Sequence, residues 1–266
     1  MHILVCNDDG IDAPGIYALS EELKKFAQVT VIAPDRQQSA VGHAITMQYP
    51  LRVVPFSKNG GFFGYAVKGT PADAVKLGVK CLVREKPDLL ISGINQGSNT
   101  AINIIYSGTV SAATEGTILG IPSIAVSLTT HDEFDFGVAA RFAGRLARLV
   151  HERGLPAGTL LNVNVPAVPE GEIRGVKLTA QGRSSWDDTF DVRRDPAGRE
   201  YYWLTGKMHL TDEDRETDEV AVREGYISVT PIHYALTNEV QRNAMRGWGL
   251  EGLPGERKGD FFLPVV

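Results

Sequence analysis

Two adjacent carboxylates follow the first apolar run of the chain. The run at residues 2–6 has the composition of a buried strand, and it ends in Asn7-Asp8-Asp9-Gly10. In open α/β sheets, ligands bind at the carboxyl ends of the strands. Like charges this close raise each other's pKa unless a cation neutralises them, so the pair indicates a site for Mg²⁺ or Mn²⁺, which prefer carboxylate oxygens. The other interpretation is a solvated turn that caps the next helix.

Three further polar loops could contribute to the same site. Residues 33–39 follow a second predicted strand, and residues 92–99 follow a third. The last loop opens a helix with Ser107-Gly108-Thr109, where free N–H groups and the helix dipole favour an anion such as phosphate. Together the loops offer carboxylate, hydroxyl and amide oxygens for a hard cation, and a cradle for phosphate. Taken singly, each loop also fits an ordinary turn or helix cap, and those alternatives stay open.

Two common phosphate-binding patterns do not occur in the sequence. There is no G-x-x-x-x-G-K-[ST] motif, which excludes a P-loop nucleotide hydrolase. There is also no G-x-G-x-x-G after the first predicted strand, which argues against a dinucleotide-binding fold.

The first 165 residues alternate strand and helix patterns. Apolar residues recur at helical spacing in residues 15–26, and β-branched residues fill 29–33 before Pro34. The alternation predicts an α/β fold, with a Rossmann-like, mostly parallel sheet and helices on both faces. The predicted strands are residues 2–6, 29–33, 89–92, 121–127 and 159–165, a hairpin is predicted at 51–54 and 62–67, and the predicted helices are 15–26, 70–81, 107–119 and 136–150.

The pattern changes after residue 174. A charged, turn-rich segment at residues 187–223 contains Tyr201, Tyr202 and Trp203. Residues 225–231 are predicted to form a late strand that returns to the core. Exposed aromatics of this size usually need another surface to cover them, so we expect a projecting β-hairpin that joins subunits into a homodimer or homotetramer. The prediction is one domain over residues 1–266, with its core at 1–180 and 224–246 and an irregular tail at 247–266.

The composition is that of an ordinary globular protein. The 266 residues carry a net charge of −5, which gives no reason to expect a nucleic-acid partner. No signal-peptide pattern and no apolar run of membrane-spanning length occur, so we expect a cytoplasmic protein without a membrane partner. The two cysteines, Cys6 and Cys81, lie in apolar contexts and are predicted to be buried small side chains.

Five motifs in this order resemble the SurE survival-protein family. They are Asn7-Asp8-Asp9-Gly10-Ile11-Asp12-Ala13-Pro14-Gly15, Ala33-Pro34 with Gln38-Ser39, Gly69-Thr70-Pro71-Ala72-Asp73, Ser92-Gly93-Ile94-Asn95-Gln96-Gly97-Ser98-Asn99 and Tyr106-Ser107-Gly108-Thr109-Val110. That family consists of metal-dependent nucleoside monophosphate phosphatases. The resemblance implies that Asp8, Asp9, Ser39 and Asn95 are the ligands of one divalent cation, and it covers nearly all of the chain except the last twenty or so residues.

The expected activity is hydrolysis of a phosphomonoester, with nucleoside monophosphates as the substrate class. Asp8 and Asp9 are the expected catalytic residues, and the substrate phosphate would be held by Asn99, Ser107, Gly108 and Thr109. His43 is the nearest candidate for a general acid, although a lone loop histidine also fits a surface position. Cleavage of 3′-nucleotides and polyphosphate stays open.

Two rival functions are considered beside this one. An aspartyl-phosphate mechanism would make Asp8 or Asp9 a nucleophile. The D-x-D-x-[TV] pattern of such phosphatases is missing, because Asn7 stands two places before Asp9. A nucleotide-binding sensor without turnover is the other rival, and the doubled carboxylate argues against it, because phosphate binding does not require two aspartates.

Overall fold

The computed structural model describes residues 1–130, 132, 135–211, 214 and 216–250. By their contacts, Met1–Tyr234 form one compact unit and Ala235–Val266 form a second. The described strands are β1 (His2–Cys6), β2 (Gln28–Pro34), β3 (Arg52–Lys58), β4 (Gly61–Lys68), β5 (Leu89–Gln96), β6 (Ser123–Leu128), β7 (Thr159–Val165), β8 (Val176–Leu178), β9 (Ser185–Arg194), β10 (Glu200–His209) and β11 (Ile227–His233). The helices are α1 (Pro14–Lys24), α2 (Pro71–Leu77), α3 (Asn103–Tyr106), α4 (Gly108–Ile118), α5 (Gly137–Arg153), α6 (Asp218–Arg223) and α7 (Glu239–Met245).

The central sheet has the strand order β3-β4-β2-β1-β5-β6-β7-β11-β8. The strands from β4 to β7 run parallel, β3 is antiparallel to β4, and β11 is antiparallel to β7. Every residue of β6 is buried, which requires that both faces of the sheet be covered. The predicted α/β fold, with its mostly parallel sheet, is confirmed.

Two pairs of helices cover this sheet. Helix α1 packs against α5, and α2 packs against α4. The buried stripe of α1 contains Ile16, Leu19 and Leu23, which recur at the spacing of one helix face. Helix α2 begins with a capping box, in which the Thr70 hydroxyl accepts from the Asp73 N–H and Asp73 accepts from the Thr70 N–H.

The hairpin between β3 and β4 follows from its turn residues. Asn59 and Gly60 both have positive φ angles, of 53° and 79°. Two-residue hairpin turns of the right twist need this conformation, and Asn-Gly adopts it at the least cost. The predicted hairpin is therefore present, with strands that are three and two residues longer than the apolar pattern indicated.

A second hairpin, β9–β10, forms a two-stranded sheet of its own. Ten residue pairs run antiparallel along it, and large side chains such as Phe190, Tyr202 and Trp203 are exposed. The rest of the segment 187–223 behaves differently, because α6 buries Val220 and Ala221 and packs against β11. The hairpin is thus the part of this segment that lacks cover within the described chain.

One prediction about the cysteines is wrong. Cys6 is buried in β1, but Cys81 is exposed. Cys81 lies in a π-helical turn, Gly78–Leu82, that continues α2. A π turn contains more residues per turn than an α-helix, so residues along it do not stay on the same face. Gly78 at its start is still buried, whereas Cys81 points away from the core.

The described part of the second unit is helical. Asn238 caps α7, accepting a hydrogen bond from the Gln241 N–H at 3.0 Å, and a short 3₁₀ turn follows at Arg246–Trp248. The remainder of the predicted irregular tail, from residue 251, lies outside the described residues. None of the helices in the described ranges has the length and apolar content needed to cross a membrane.

Candidate active site

The candidate site lies where the sheet changes direction. Strand β1 is flanked by β2, which follows it directly in the chain, and by β5, which comes four strands after it. Loops that leave the carboxyl ends of β1 and β5 diverge to opposite sides, and such a switch point is the usual ligand crevice of an open α/β sheet. Asn7, Asp8 and Asp9 follow directly after β1 at this edge.

The side chain of Asp8 is packed against the start of helix α4. Its carboxylate accepts a hydrogen bond from the hydroxyl of Thr109, whose own side chain is fully buried. A Cβ placed on Gly108 would lie 2.6 Å from the Cβ of Asp8, so only glycine allows this approach. Asp8 itself is 5% exposed.

Burial controls the acidity of both carboxyl groups. It raises the pKa of Asp8, against the opposing effects of the Thr109 hydroxyl and of the N–H groups of Gly108 and Thr109. Burial and the charge of Asp8 raise the pKa of Asp9 to about 6, and a hydrogen bond from the Gln96 N–H, at 3.2 Å, opposes them. A pair of carboxylates in this situation is stabilised by a cation between them.

Asn95 lies on the neighbouring strand at the same edge. Its side-chain nitrogen donates to the carbonyl of Gly97 at 2.8 Å, which leaves the amide oxygen for another partner. The pairing of β5 with β6 shifts between Ser92 and Asn95, and a Cβ on Gly93 would lie 2.3 Å from the carbonyl oxygen of Val126. The shift and the glycine together set the position of Asn95.

Ser39 lies on the loop after β2. The N–H of Gln38 donates to the carbonyl of Asp8 at 2.7 Å, so this loop is tied to the end of β1. The side chain of Ser39 is exposed, and its hydroxyl accepts from the Gln37 amide at 2.9 Å. The loop that carries Ser39 is therefore held beside Asp8 through its backbone. Among the described contacts, the serine hydroxyl itself makes no bond to either carboxylate.

The donor set has the chemistry of a hard-cation site. Two carboxylates follow β1, one amide oxygen lies near the end of the adjacent strand β5, and a hydroxyl lies on the loop after β2. Oxygen donors of this kind suit Mg²⁺ or Mn²⁺ rather than Zn²⁺. Among the described residues, no group of three or more His, Cys, Asp or Glu side chains is close enough to hold a metal. Any cation here would depend on the neutral oxygens of Asn95 and Ser39 as well as on the aspartates.

The predicted phosphate-binding residues are firmly held by the protein. The hydroxyl of Ser107 accepts from the Val110 N–H at 3.0 Å and so caps α4. The side-chain nitrogen of Asn99 donates to Ser127 at 2.7 Å, and its N–H donates to Asn164 at 2.8 Å. Ser107, Gly108 and Thr109 thus adjoin Asp8, while Asn99 is fixed at the ends of β6 and β7. Their role in phosphate binding stays a prediction.

Two buried asparagines on β7 were not singled out from the sequence. Asn162 and Asn164 both donate to the carbonyl of Asn99, at 2.8 and 3.2 Å. Their spacing of two residues in an otherwise apolar strand places both on the same face. That spacing was the available signal that a polar loop would pack there.

His43 is tied to helix α4. Its ring nitrogen lies 3.0 Å from one carboxylate oxygen of Glu115, and the Lys76 ammonium lies 2.7 Å from the other. Glu115 is 2% exposed. Burial opposes its ionisation, but the hydrogen bonds and charges of His43 and Lys76 prevail and lower the pKa of Glu115. This cluster connects the Ser39 loop to two helices.

The fold and the site define a doubly wound α/β protein with an oxygen-rich, acidic site at the switch point of its sheet. The family model described as Survival protein SurE matches residues 3–188. The chain belongs to the SurE family.

Several relatives cover most of the chain. A protein of Chlorobaculum tepidum named 5′-nucleotidase SurE is 50% identical over 250 residues, which are 94% of this chain and 95% of that protein. A protein of the same name from Moorella thermoacetica is 51% identical over 239 residues, covering 90% and 92% of the two chains. The crystal structure of the SurE protein from Aquifex aeolicus matches with a TM-score of 0.81 and 41% identity, over 93% of this chain and 99% of that one.

Proposed function

We propose that the protein is a divalent-metal-dependent 5′-nucleotidase, which hydrolyses nucleoside monophosphates to a nucleoside and phosphate. The observation that carries this proposal is the adjacent pair of buried Asp8 and half-buried Asp9 at the switch point of the sheet. On the neighbouring strand, the side chain of Asn95 uses its nitrogen for a hydrogen bond to Gly97, which leaves its amide oxygen for another partner. Relatives of about 50% identity that bear the name 5′-nucleotidase SurE give the substrate class.

The proposed ligands of the cation are Asp8, Asp9, Ser39 and Asn95. The chemistry that a bound Mg²⁺ or Mn²⁺ supplies is polarisation of the phosphoryl group and a lower pKa for an attacking water. Thr109 fixes the orientation of the Asp8 carboxylate, and the Gln96 N–H fixes that of Asp9. Two held carboxylates need little rearrangement when they take up the ion.

The start of α4 is the proposed phosphate side of the site. Its first residues, Ser107 to Thr109, lie next to Asp8, and the positive end of the helix dipole favours the growing charge on phosphoryl oxygens. Asn99 is proposed to support the same group from the β5 side. The His43 ring is already bonded to Glu115, which favours an anchoring role over that of general acid.

The finer assignments are also proposals. Cleavage of 3′-nucleotides and of polyphosphate would use the same scissile-phosphate position. The protein is proposed to act in the cytoplasm, without nucleic-acid or membrane partners, and the net charge of −5 is consistent with a small-molecule substrate.

A homodimer or homotetramer is proposed on the strength of the β9–β10 hairpin. Its exposed aromatic side chains, among them Phe190, Tyr202 and Trp203, make a surface of the kind that subunits cover. One functional domain is proposed for residues 1–266, in which Met1–Tyr234 form the compact unit that contains every proposed site residue.

The decisive experiment measures phosphate release from a panel of nucleoside 5′-monophosphates. We expect release with Mn²⁺ or Mg²⁺, loss of activity in EDTA, and recovery when the cation is returned. Full activity after exhaustive chelation would remove the metal mechanism, and no release from any nucleotide would overturn the proposed activity. Acid quenching with ³²P-labelled nucleotide separates the rivals, because an aspartyl-phosphate would leave label on the protein. Binding of nucleotide without release would identify a sensor.

A further inference from the structure

A second cleft, of about 490 Å³, lies beside the Ser39 loop. Residues from three parts of the chain line it. Arg36 and Gln38 come from the loop after β2, Arg52 begins β3, and Lys68 with Thr70 comes from the end of β4 and the start of α2. None of the residues of this cleft belongs to the proposed metal or phosphate positions. We call it the basic cleft.

The charges of the basic cleft contrast with those of the whole chain. Arg36, Arg52 and Lys68 all line it. Arg52 and Lys68 are backbone neighbours in the β3–β4 ladder, and none of the three side chains has a hydrogen bond or ion pair with another described residue. Asp35 is the one carboxylate among the described lining residues, so the cleft is positive in a chain of net charge −5. A recess lined by one sign of charge concentrates ligands of the opposite sign.

The basic cleft and the candidate site share one loop. Gln38 lines the cleft, and its N–H donates to the carbonyl of Asp8 at 2.7 Å. The N–H of Asp35, one residue before Arg36, donates to the Val67 carbonyl at 2.9 Å and holds the loop to β4. The loop that lines the cleft is therefore tied both to the backbone of Asp8 and to β4.

An anionic occupant fits this lining better than a bare nucleobase does. Tyr49 is exposed at the cleft and offers a ring for stacking. Stacking needs no net charge, however, whereas three unpaired cations are the pattern that recognises phosphate, with guanidinium groups able to bind its oxygens in pairs. The excess of positive charge therefore favours a phosphate group.

We propose that the basic cleft binds a second phosphate group of the substrate, so that the enzyme favours nucleotides that carry another phosphate besides the one removed. The inference rests on the proposed nucleotidase function. Arg36, Arg52 and Lys68 would recognise the phosphate that is kept, while Asp8 and Asp9 act at the phosphate that leaves.

The test compares KM for adenosine 5′-monophosphate with KM for adenosine 3′,5′-bisphosphate in the intact protein. We expect KM for the bisphosphate to be lower by about tenfold, the size of one charge-assisted interaction. In the double variant Arg52→Gln/Lys68→Gln the ratio of the two KM values should fall towards one. Lys80→Gln, which removes an exposed charge away from the cleft, should keep the ratio of the unchanged protein.

A binding titration in EDTA gives a readout that does not need turnover. The bisphosphate should bind more tightly than the monophosphate, and the double variant should lose that difference. Equal affinities in the unchanged protein, or an advantage that survives in the double variant, would overturn the inference. Charge-dependent binding of inorganic phosphate alone, with no advantage for the bisphosphate, would also overturn it in favour of a free-anion site. Failure of the proposed function would differ from all of these, because adenosine 5′-monophosphate would then release no phosphate with either cation.

Discussion

The hydroxyl of Thr109 donates a hydrogen bond to the carboxylate of Asp8, across a separation of 101 residues in the chain. The bond joins the loop after β1 to the first turn of α4, and both residues are buried. The N–H groups of Gly108 and Thr109 also favour the ionised carboxylate, and the hydroxyl adds the side-chain bond that holds Asp8 against the helix. A buried carboxylate that loses this donor cannot readily turn to water for another one.

Thr109→Val should test the hydroxyl that holds the Asp8 carboxylate. Valine keeps the shape of threonine but removes the donor, so we expect kcat to fall by about 10- to 100-fold, corresponding to about 1.5–3 kcal/mol. Thr109→Ser keeps the hydroxyl and should retain most of the activity. The measurement is kcat for a nucleoside monophosphate at saturating Mn²⁺. Equal activity in the valine variant would show that the hydroxyl is dispensable.

Asp9→Asn should abolish most activity and change the acid–base behaviour of the metal-free protein. The pKa of Asp9 is raised from 3.8 to about 6 by burial and by Asp8. A carboxyl group with a raised folded-state pKa favours the folded state when it is protonated, and that contribution is lost as pH rises from about 4 through 6. The variant should lack this loss, so its denaturant midpoint in EDTA should exceed that of the unchanged protein at pH 7. A lower midpoint would mean that the pair is structural.

Gly108→Ala should displace Asp8. The new Cβ would meet the Asp8 side chain at 2.6–2.9 Å, and Asp8 is only 5% exposed. We expect a large loss of activity with a helix content close to normal, measured by circular dichroism. Gly171→Ala is the matched control, because a Cβ there meets nothing within 4 Å, and it should be close to neutral. Normal hydrolysis by Gly108→Ala would place the phosphate side of the site elsewhere.

Glu115→Gln should destabilise the protein in a pH-dependent way. The folded-state pKa of Glu115 lies below the usual 4.5, so its ionised form stabilises the fold above that pH, and the contribution is lost as pH falls through the folded value. We expect a cost of about 1–3 kcal/mol at pH 7 that shrinks below about pH 4.5. Glu21→Gln, which removes the partner of exposed Lys24, should cost less than about 1 kcal/mol. Chemical denaturation at several pH values measures both, and a pH-independent cost for Glu115→Gln would contradict the ion-pair assignment.

Shortening the β9–β10 hairpin should reduce the size of the assembly. Trp186 and Met208 face each other across the hairpin, so a short Gly-Ser linker can replace residues 187–207 between them. Because α6 stays in place, the loops that carry Asp8, Ser39 and Asn95 should remain folded. Light scattering should give a smaller species for the shortened protein than for the intact one. A mass of 28.9 kDa for the intact protein at micromolar concentration would rule out the proposed oligomer.

The elements could be predicted from the sequence because their signals are local. Short apolar runs predicted the strands of the parallel sheet, and Asn59-Gly60 predicted the hairpin turn between β3 and β4. The partners of individual side chains could not be found in this way. The hydrogen bond between Thr109 and Asp8 joins residues 101 positions apart, and the bond between His43 and Glu115 joins residues 72 positions apart. Short-range patterns show which polar residues are unusual, but the strand order decides which of them meet.

The prediction that Cys81 is buried was wrong for a local reason. In a π turn each backbone hydrogen bond spans one residue more than in an α turn. The residue types of Gly78–Leu82 do not distinguish the two kinds of turn. The exposed position of this cysteine depends on that single difference in winding.

The contrast between the two cysteines makes the protein suitable for site-selective labelling. Cys6 is buried, and burial raises the pKa of its thiol, so little of the reactive thiolate forms there at neutral pH. Cys81 is exposed on the turn that precedes β5, towards the amino end of the strands and away from the carboxyl edge that holds Asp8. A maleimide dye or nitroxide would therefore attach at one position per chain without mutagenesis, and it could report distances between copies while the candidate active site stays undisturbed.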